Sequence, residues 1–324
     1  AILRYGIRQL LPPGVELLSG PGCPVCVTDQ SDVDRAIALC RIPGLIMTSF
    51  GDMLKVPGSQ GSLAEARASG ADVRVVYSTL DALQIARDNP ERRVVFLGVG
   101  FETTAPTIAA SVARAEAEGI RNYAVLCLAK TCPPVMKALL DGGEVKLNGI
   151  ICPGHVSAVI GATPYEFIPC DYGIACVVAG FEPVDILQAV DMLLKQLNEG
   201  RPAVEIAYTR GVPPQGNQVA QRLMAAVFEA APVSWRGVGE VAASGLKLRE
   251  KYAAFDAERL YDIKIPPSHE ARGCICGEVL RGVKTPPDCA LFGKACTPER
   301  PVGPCMVSGE GACAAYFNYG DGRG

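Results

Sequence analysis

Short apolar runs of four to six residues recur along this chain, and between them apolar residues fall at every third or fourth position. The runs suit buried strands and the longer period suits amphipathic helices. Across residues 1–90 the pattern predicts strands at 15–18, 44–48 and 73–77. Helices are predicted at 31–40 and from a Ser78 cap through Leu83 to about residue 88. Asp32 and Asp34 stand in the first turn of the 31–40 helix, where carboxylates favour the helix dipole. Residues 91–205 repeat the theme, with strands at 94–97, 123–128, 149–152 and 175–178 and helices near 106–118, 134–140 and 184–197. Such alternation predicts α/β architecture, with parallel sheets and right-handed crossovers. The expected domains are a first doubly wound lobe at 1–90, a second at 91–205 and a C-terminal lobe at 206–324. In the last, the pattern loosens to a helix at 217–229, a strand at 233–237 and a Pro-bearing linker at 263–269.

Composition narrows the class. Of 324 residues, 49% are hydrophobic and 20% charged, which is globular rather than disordered. A net charge of −3 gives no reason to expect nucleic acid or anionic lipid as a partner. No basic-then-apolar leader and no run of 18 apolar residues is seen, so no membrane association is expected. Cysteine is plentiful at 14, yet Cys40, Cys127, Cys152 and Cys176 lie in apolar runs and read as small buried hydrophobes. A disulfide-rich secreted domain would be shorter, which favours a reducing cytoplasm.

The C-terminal cysteines are a different matter. Cys276, Cys289, Cys296 and Cys313 follow C-x12-C-x6-C-x16-C, and Cys274 and Cys305 sit among them. This stretch is rich in Gly and Pro and has little apolar periodicity, so a metal or cross-link must order it. Thiolates suit an iron–sulfur cluster or zinc. Structural zinc sites favour closer pairs, so spacing leans toward [4Fe–4S], with zinc and disulfides left open.

Three other motifs follow predicted strands. Gly22-Cys23-Pro24-Val25-Cys26 is a C-x-x-C that reads as a redox dithiol or as half of a zinc site. Gly98-Val99-Gly100-Phe101-Glu102-Thr103 begins like a dinucleotide fingerprint but has Thr103 where the third Gly belongs, and no phosphate loop occurs elsewhere. A glycine turn there still suits a small anion, while Thr103 or Thr104 suits a helix cap. His155, after Cys152-Pro153-Gly154, is one of two histidines and reads as either a structural residue or a catalytic one; His269 lies in the linker and is given no role. Ligands in doubly wound sheets bind beyond the C-terminal strand ends, where these motifs lie.

The ordered set resembles the HypD family of hydrogenase maturation factors. The stretches are GPGCPVC at 20–26, FGD at 50–52, VPGSQGSL at 56–63, GADVRVVYS at 70–78, GFETTAP at 100–106, PGHVSAVIG at 153–161, VAGFEP at 178–183, WRGVG at 235–239 and the C-terminal cysteine pattern. The resemblance implies two α/β lobes facing a cleft plus a C-terminal iron–sulfur lobe. It implies a [4Fe–4S] cluster held by Cys276, Cys289, Cys296 and Cys313, a redox dithiol at Cys23 and Cys26, and cleft residues Glu102, Thr103, Thr104, His155 and Ser157. Its implied function is scaffold and redox relay in building the Fe(CN)2CO unit of [NiFe]-hydrogenases, rather than conventional turnover. A HypC-type small chaperone and a HypE-type cyanide donor would be partners, and iron carrying CO and cyanide would be transient cargo.

The family also carries a C-G-G-H-[T/S] motif whose Cys is implicated in holding that iron, and it lies ahead of the point where this sequence opens with Ala1-Ile2-Leu3-Arg4-Tyr5-Gly6. The chain as given is therefore expected to fold and bind its cluster but not to assemble the iron unit; were iron held by it all the same, Cys23 or Cys26 would be the candidate soft ligands. Two other classes are kept beside this reading: a zinc-stabilised binding module without a redox role, and a small-molecule enzyme using a Glu102/His155 cleft.

Overall fold

The computed structural model describes residues 1–320. Its first part runs α1 (Ile7–Leu10), α2 (Pro24–Val27), α3 (Gln30–Cys40), β1 (Leu45–Ser49), α4 (Leu63–Ala68), β2 (Asp72–Val75), α5 (Thr79–Asp88), β3 (Arg93–Gly98), α6 (Ala105–Ala117) and β4 (Tyr123–Cys127). Then come α7 (Cys132–Gly142), β5 (Gly149–Pro153), α8 (Gly154–Ile160), α9 (Phe167–Tyr172), β6 (Ala175–Ala179), α10 (Pro183–Glu199) and β7 (Val204–Ile206). The last part holds α11 (Gln218–Val227), β8 (Phe228–Trp235), β9 (Gly239–Leu248), α12 (Ala257–Leu260), α13 (Cys276–Leu280) and α14 (Ala312–Tyr319).

Strands β2-β1-β3-β4 form one parallel sheet and β5-β6-β7 a second. Successive residues of a strand face opposite ways, and here both faces are covered. Leu45, Met47, Val95, Leu97 and Leu126 join one core with Val33, Ala36 and Ile37 of α3 and Leu63 of α4. Their neighbours Ile46, Val94, Phe96, Tyr123 and Val125 join another with Leu83 of α5 and Ile108 and Val112 of α6. The second sheet divides likewise, Cys176 and Val178 against Ile168 of α9, and Ala175 and Val177 against Ala189 and Leu193 of α10. Two-sided burial explains why these strands read as unbroken apolar runs. No helix among the described residues is long and apolar enough to cross a membrane.

Several expectations need correction. The expected strand at 15–18 is absent. It follows Pro12-Pro13-Gly14, its Leu18 is exposed, and both neighbours of β1 are already β2 and β3. The boundary drawn at residue 90 falls inside a sheet, because β3 and β4 pair onto β1, so the strands divide between sheets after β4. The predicted strand at 233–237 is the end of a longer one, β8, in an antiparallel hairpin with β9. β9 escaped notice because Ala242-Ala243-Ser244-Gly245 gives little apolar alternation. The hairpin lies along the far side of the first sheet: Leu246 donates to the Ala129 carbonyl and the Thr131 amide to Ser244.

Residues 271–320 hold little core of their own. One small cluster gathers Cys296, Met306 and Ala314, while Cys276, Leu280 and Cys305 pack into the core of the first sheet. The strap before them, 262–271, has no regular structure yet is tied down, with Ser268 Oγ donating to Asp34 at 2.6 Å and the His269 amide to Ser59 Oγ at 3.0 Å.

Helix caps separate two similar expectations. Ser78 caps α5 in a capping box with Asp81, the Asp81 amide donating to Ser78 Oγ at 3.2 Å and the Ser78 amide to Asp81 at 2.8 Å. Thr104 stands at the N-cap of α6, but its hydroxyl makes no cap bond and its side chain lies over Gly100, where a Cβ would overlap it. Ser78→Ala should therefore lower the unfolding free energy by about 1 kcal/mol. Thr104→Ala should change it by less than about 0.5 kcal/mol. Urea denaturation of both variants gives the comparison, and the reverse order would mean that Thr104 is the stronger cap.

Candidate functional site

The C-x-x-C motif lies on α2. Cys23 is its N-cap, Pro24 takes the first helical position, and the Cys26 amide donates to Cys23 Sγ at 3.2 Å. One helical turn thus brings the two side chains together, and they form a disulfide with a Cα–Cα distance of 5.2 Å. Both residues are buried. Cys26 Sγ lies 3.9 Å from the carbonyl of Pro304, the residue before Cys305.

Six sulfurs stand on the other side of that contact. Cys274, Cys276, Cys289, Cys296, Cys305 and Cys313 all line one narrow cavity of about 10 Å3, closed by Leu291, Phe292 and Met306. The four expected ligands are therefore gathered, together with the two cysteines that sequence spacing left without a role. Cys276 Sγ is 2.8 Å from Cys305 Sγ, deep in the first-sheet core. The hydrogen bonds it shares with the thiols of Cys274 and Cys305 hold Cys276 well below the ordinary thiol range, and the same bonds, with burial, push Cys274 and Cys305 up. Gly303 makes room beside Cys274, since a Cβ there would lie 2.6 Å from its sulfur. Among the described residues no three His, Cys, Asp or Glu side chains converge as on a single ion. Six thiols around one cavity are the soft donor set that an iron–sulfur group or a zinc ion takes. The donor set fits an iron–sulfur group.

The cleft motifs are split. Glu102, in the loop after β3, is 2% exposed. Its Oε1 accepts from the Cys132 amide at 2.8 Å, so it caps α7 from another element, while Oε2 is buried without a partner among the described residues. Burial pushes its carboxyl up to about 7. Thr103, next to it, is exposed. Ser157 is buried on α8, its hydroxyl donating to the Pro153 carbonyl at 2.8 Å, with the Tyr165 hydroxyl 3.3 Å away. His155 is exposed, with its ring edge-on to Phe181 at 4.7 Å. No hydrogen bond or ion pair among the described residues joins His155 to Glu102.

Sequence reasoning missed the buried cations. Lys130 is 2% exposed, with Nζ donating to the Ser234 carbonyl at 2.8 Å and lying 3.7 Å from Asp32. Burial lowers the ammonium and raises the carboxyl, so each resists the charge that the other favours. Arg236 is equally enclosed, and one Nη has no partner among the described residues. It lines a second cavity, of about 480 Å3, with Ser59, His269, Arg272, Cys274 and Gly303. Only the position of Arg236 after a strand could have pointed to it.

A family model described as the Hydrogenase formation hypA family, HypD, matches residues 1–320. The chain is 51% identical to a hydrogenase maturation factor HypD of Rhodobacter capsulatus, over 100% of this chain and 87% of that protein. It is 48% identical to one from Azotobacter vinelandii, over 100% and 87%, and 46% identical to a putative hydrogenase expression/formation protein of Methanocaldococcus jannaschii, over 98% and 88%.

Glu102 gives a pH test. Its carboxyl rises from 4.5 unfolded to about 7 folded, so the native state binds the proton more tightly. The stability this contributes is complete below pH 4.5 and is lost as pH rises through about 7. Glu102→Gln keeps an acceptor for the Cys132 amide and should flatten the fall in unfolding free energy across that window. An unchanged slope in urea titrations would mean that Glu102 titrates as an ordinary carboxylate.

Proposed function

The chain belongs to the HypD family of hydrogenase maturation factors, and from that membership together with its thiol geometry we propose a scaffold and redox relay for assembling the Fe(CN)2CO unit. One observation carries the reading: two cysteine pairs far apart in sequence, Cys23–Cys26 and Cys276/Cys305, are buried in the same core with Cys26 against Pro304. A purely structural cross-link would not need a second thiol pair beside it.

Exchange between the pairs is balanced. The Cys276 thiolate and the Cys305 thiol give up two electrons and one proton as their disulfide forms, and Cys23 and Cys26 take them as their bond opens to one thiol and one thiolate. A [4Fe–4S] cluster in the neighbouring cavity would supply one-electron transfer beside these thiols. Because Cys276 already faces Cys305, we infer that its close neighbour Cys274 completes the ligand set with Cys289, Cys296 and Cys313. This differs from the set that the family resemblance implied by a single step in the C-x-C pair.

Iron bearing CO and cyanide is cargo in this scheme, for which reduced Cys23 or Cys26 would be a soft ligand. A HypC-type chaperone and a HypE-type cyanide donor are the partners that the reading calls for. The exposed His155 and Phe181 lie at the C-terminal edge of the second sheet, where a partner's cargo could be met. The buried, capping position of Glu102 gives less support to a small-molecule enzyme working between Glu102 and His155.

Anaerobic purification followed by metal and acid-labile sulfide analysis tests the reading. About four iron and four sulfide per chain are expected, with broad visible absorbance near 400 nm. Cys274→Ser should lose most of the iron, whereas Cys276→Ser should keep it. One zinc per chain would favour the binding module instead. Loss of iron from Cys276→Ser with retention in Cys274→Ser would restore Cys276 to the ligand set.

A further inference from the structure

Between the two cysteine pairs runs a single turn of chain, Trp235-Arg236-Gly237, at the tip of the β8–β9 hairpin. On one side it grips the segment that leaves the C-x-x-C helix. Trp235 bridges to Thr28, and the Arg236 amide donates to the Val27 carbonyl at 3.0 Å. The guanidinium repeats the grip, with Nε donating to the Thr28 carbonyl at 3.0 Å and Nη1 to Gln30 Oε1 at 2.9 Å. On the other side the same turn meets the residue after Cys276. Gly237 has φ +75°, and a Cβ on it would overlap Gly277 Cα, while a Cβ on Gly277 would come within 2.7 Å of Gly237 Cα. Arg281, at the end of α13, donates to the Gly237 carbonyl.

We propose that Trp235-Arg236-Gly237 is a positioning element that sets the register between the Cys23–Cys26 pair and the Cys276/Cys305 pair. This rests on the relay reading above and adds to it the residues that keep the pairs in reach. Thiol–disulfide exchange needs an attacking sulfur close to the bond it opens and in line with it, and small misplacements of reacting groups are costly. Neither short helix can fix that geometry alone, since α2 has four residues and α13 has five. The turn supplies a backbone-to-backbone gauge. Two glycines in contact permit no slack from side-chain rotation, and the forked guanidinium fixes the other end at two points, which a lysine cannot do. The base of the turn is itself held: the Trp235 indole donates to Ser244 at 2.8 Å and its ring stacks on Phe101 at 5.9 Å.

The test reads register directly. In the full chain carrying Cys23→Ser and Cys276→Ser, one cysteine of each pair remains, Cys26 and Cys305. Diamide takes up two electrons and two protons as it joins them, and quenched alkylation with peptide mass spectrometry gives the rate. With the turn intact the cross-link should form readily. Gly237→Ala should slow it at least about tenfold, and Arg236→Lys at least about threefold. Alkylation of Cys40, buried in α3, is the control for general loosening. Equal cross-linking rates in the variants and the intact turn would overturn the proposal. So would slowing that comes only with a matching rise in Cys40 alkylation, since the turn would then merely support the fold. If Gly237→Ala does not fold, Arg236→Lys decides by the same two readings. Absence of the cross-link even with the turn intact would instead sink the relay reading itself.

Discussion

A parallel sheet of mostly apolar strands must hide both of its faces, and the rest of this molecule follows from that requirement. Helices α3 and α4 cover one face of the first sheet and α5 and α6 the other. The crossovers are short, however, and the side beyond β4 stays open until the β8–β9 hairpin and the 3-10 turn at Glu250–Phe255 close it. The cysteine-rich segment then packs over the α2 end of the same core. A stretch too poor in apolar residues to fold by itself is thus stabilised by a core that it did not have to build. Its sulfurs come to rest beside the C-x-x-C helix as a consequence of covering the sheet.

Burial also sets the chemistry of the groups it encloses. Where a polar group is sealed without a full set of partners, its neutral form gains. Glu102 with its unpaired Oε2 is one case and the Lys130/Asp32 pair is another. Cys276 goes the opposite way because it shares hydrogen bonds with two neighbouring thiols. Burial thus favours the neutral carboxyl of Glu102, while shared hydrogen bonds favour the thiolate of Cys276. Hydrogen-bond partners rather than depth decide between them, since both residues are almost fully enclosed.

Much of this was legible in the residues. Two-sided burial writes strands as plain apolar runs, so β1, β3, β4, β5 and β6 were found within a residue or two of their ends. Ser78 was legible as a cap because Asp81 completes its box. Thr104 was misread because a hydroxyl at an N-cap need not bond there when its side chain packs on a glycine instead. The run at 15–18 looked like a strand, but apolar character cannot say whether a sheet edge is free to receive it. Long-range register was the least visible. Cys274 and Cys276 are equivalent in spacing, and only the fold turns one of them toward Cys305. Arg236 is an ordinary arginine in the sequence, and its meaning comes from Val27, Thr28 and Gln30, more than two hundred positions away.

The contact between Cys26 and Pro304 spans 278 positions. During synthesis the C-x-x-C helix and the strands of the first sheet leave the ribosome long before the thiols that they will face. Contacts of such separation form late because loop closure must come first. For most of its elongation, then, the Cys23–Cys26 pair stands without the C-terminal segment that covers it, open to other thiols. Arrival of the last cysteines ends that exposure and creates the paired arrangement in one event. Translation thus acts as a timer, and an abandoned, incomplete chain would lack the arrangement altogether.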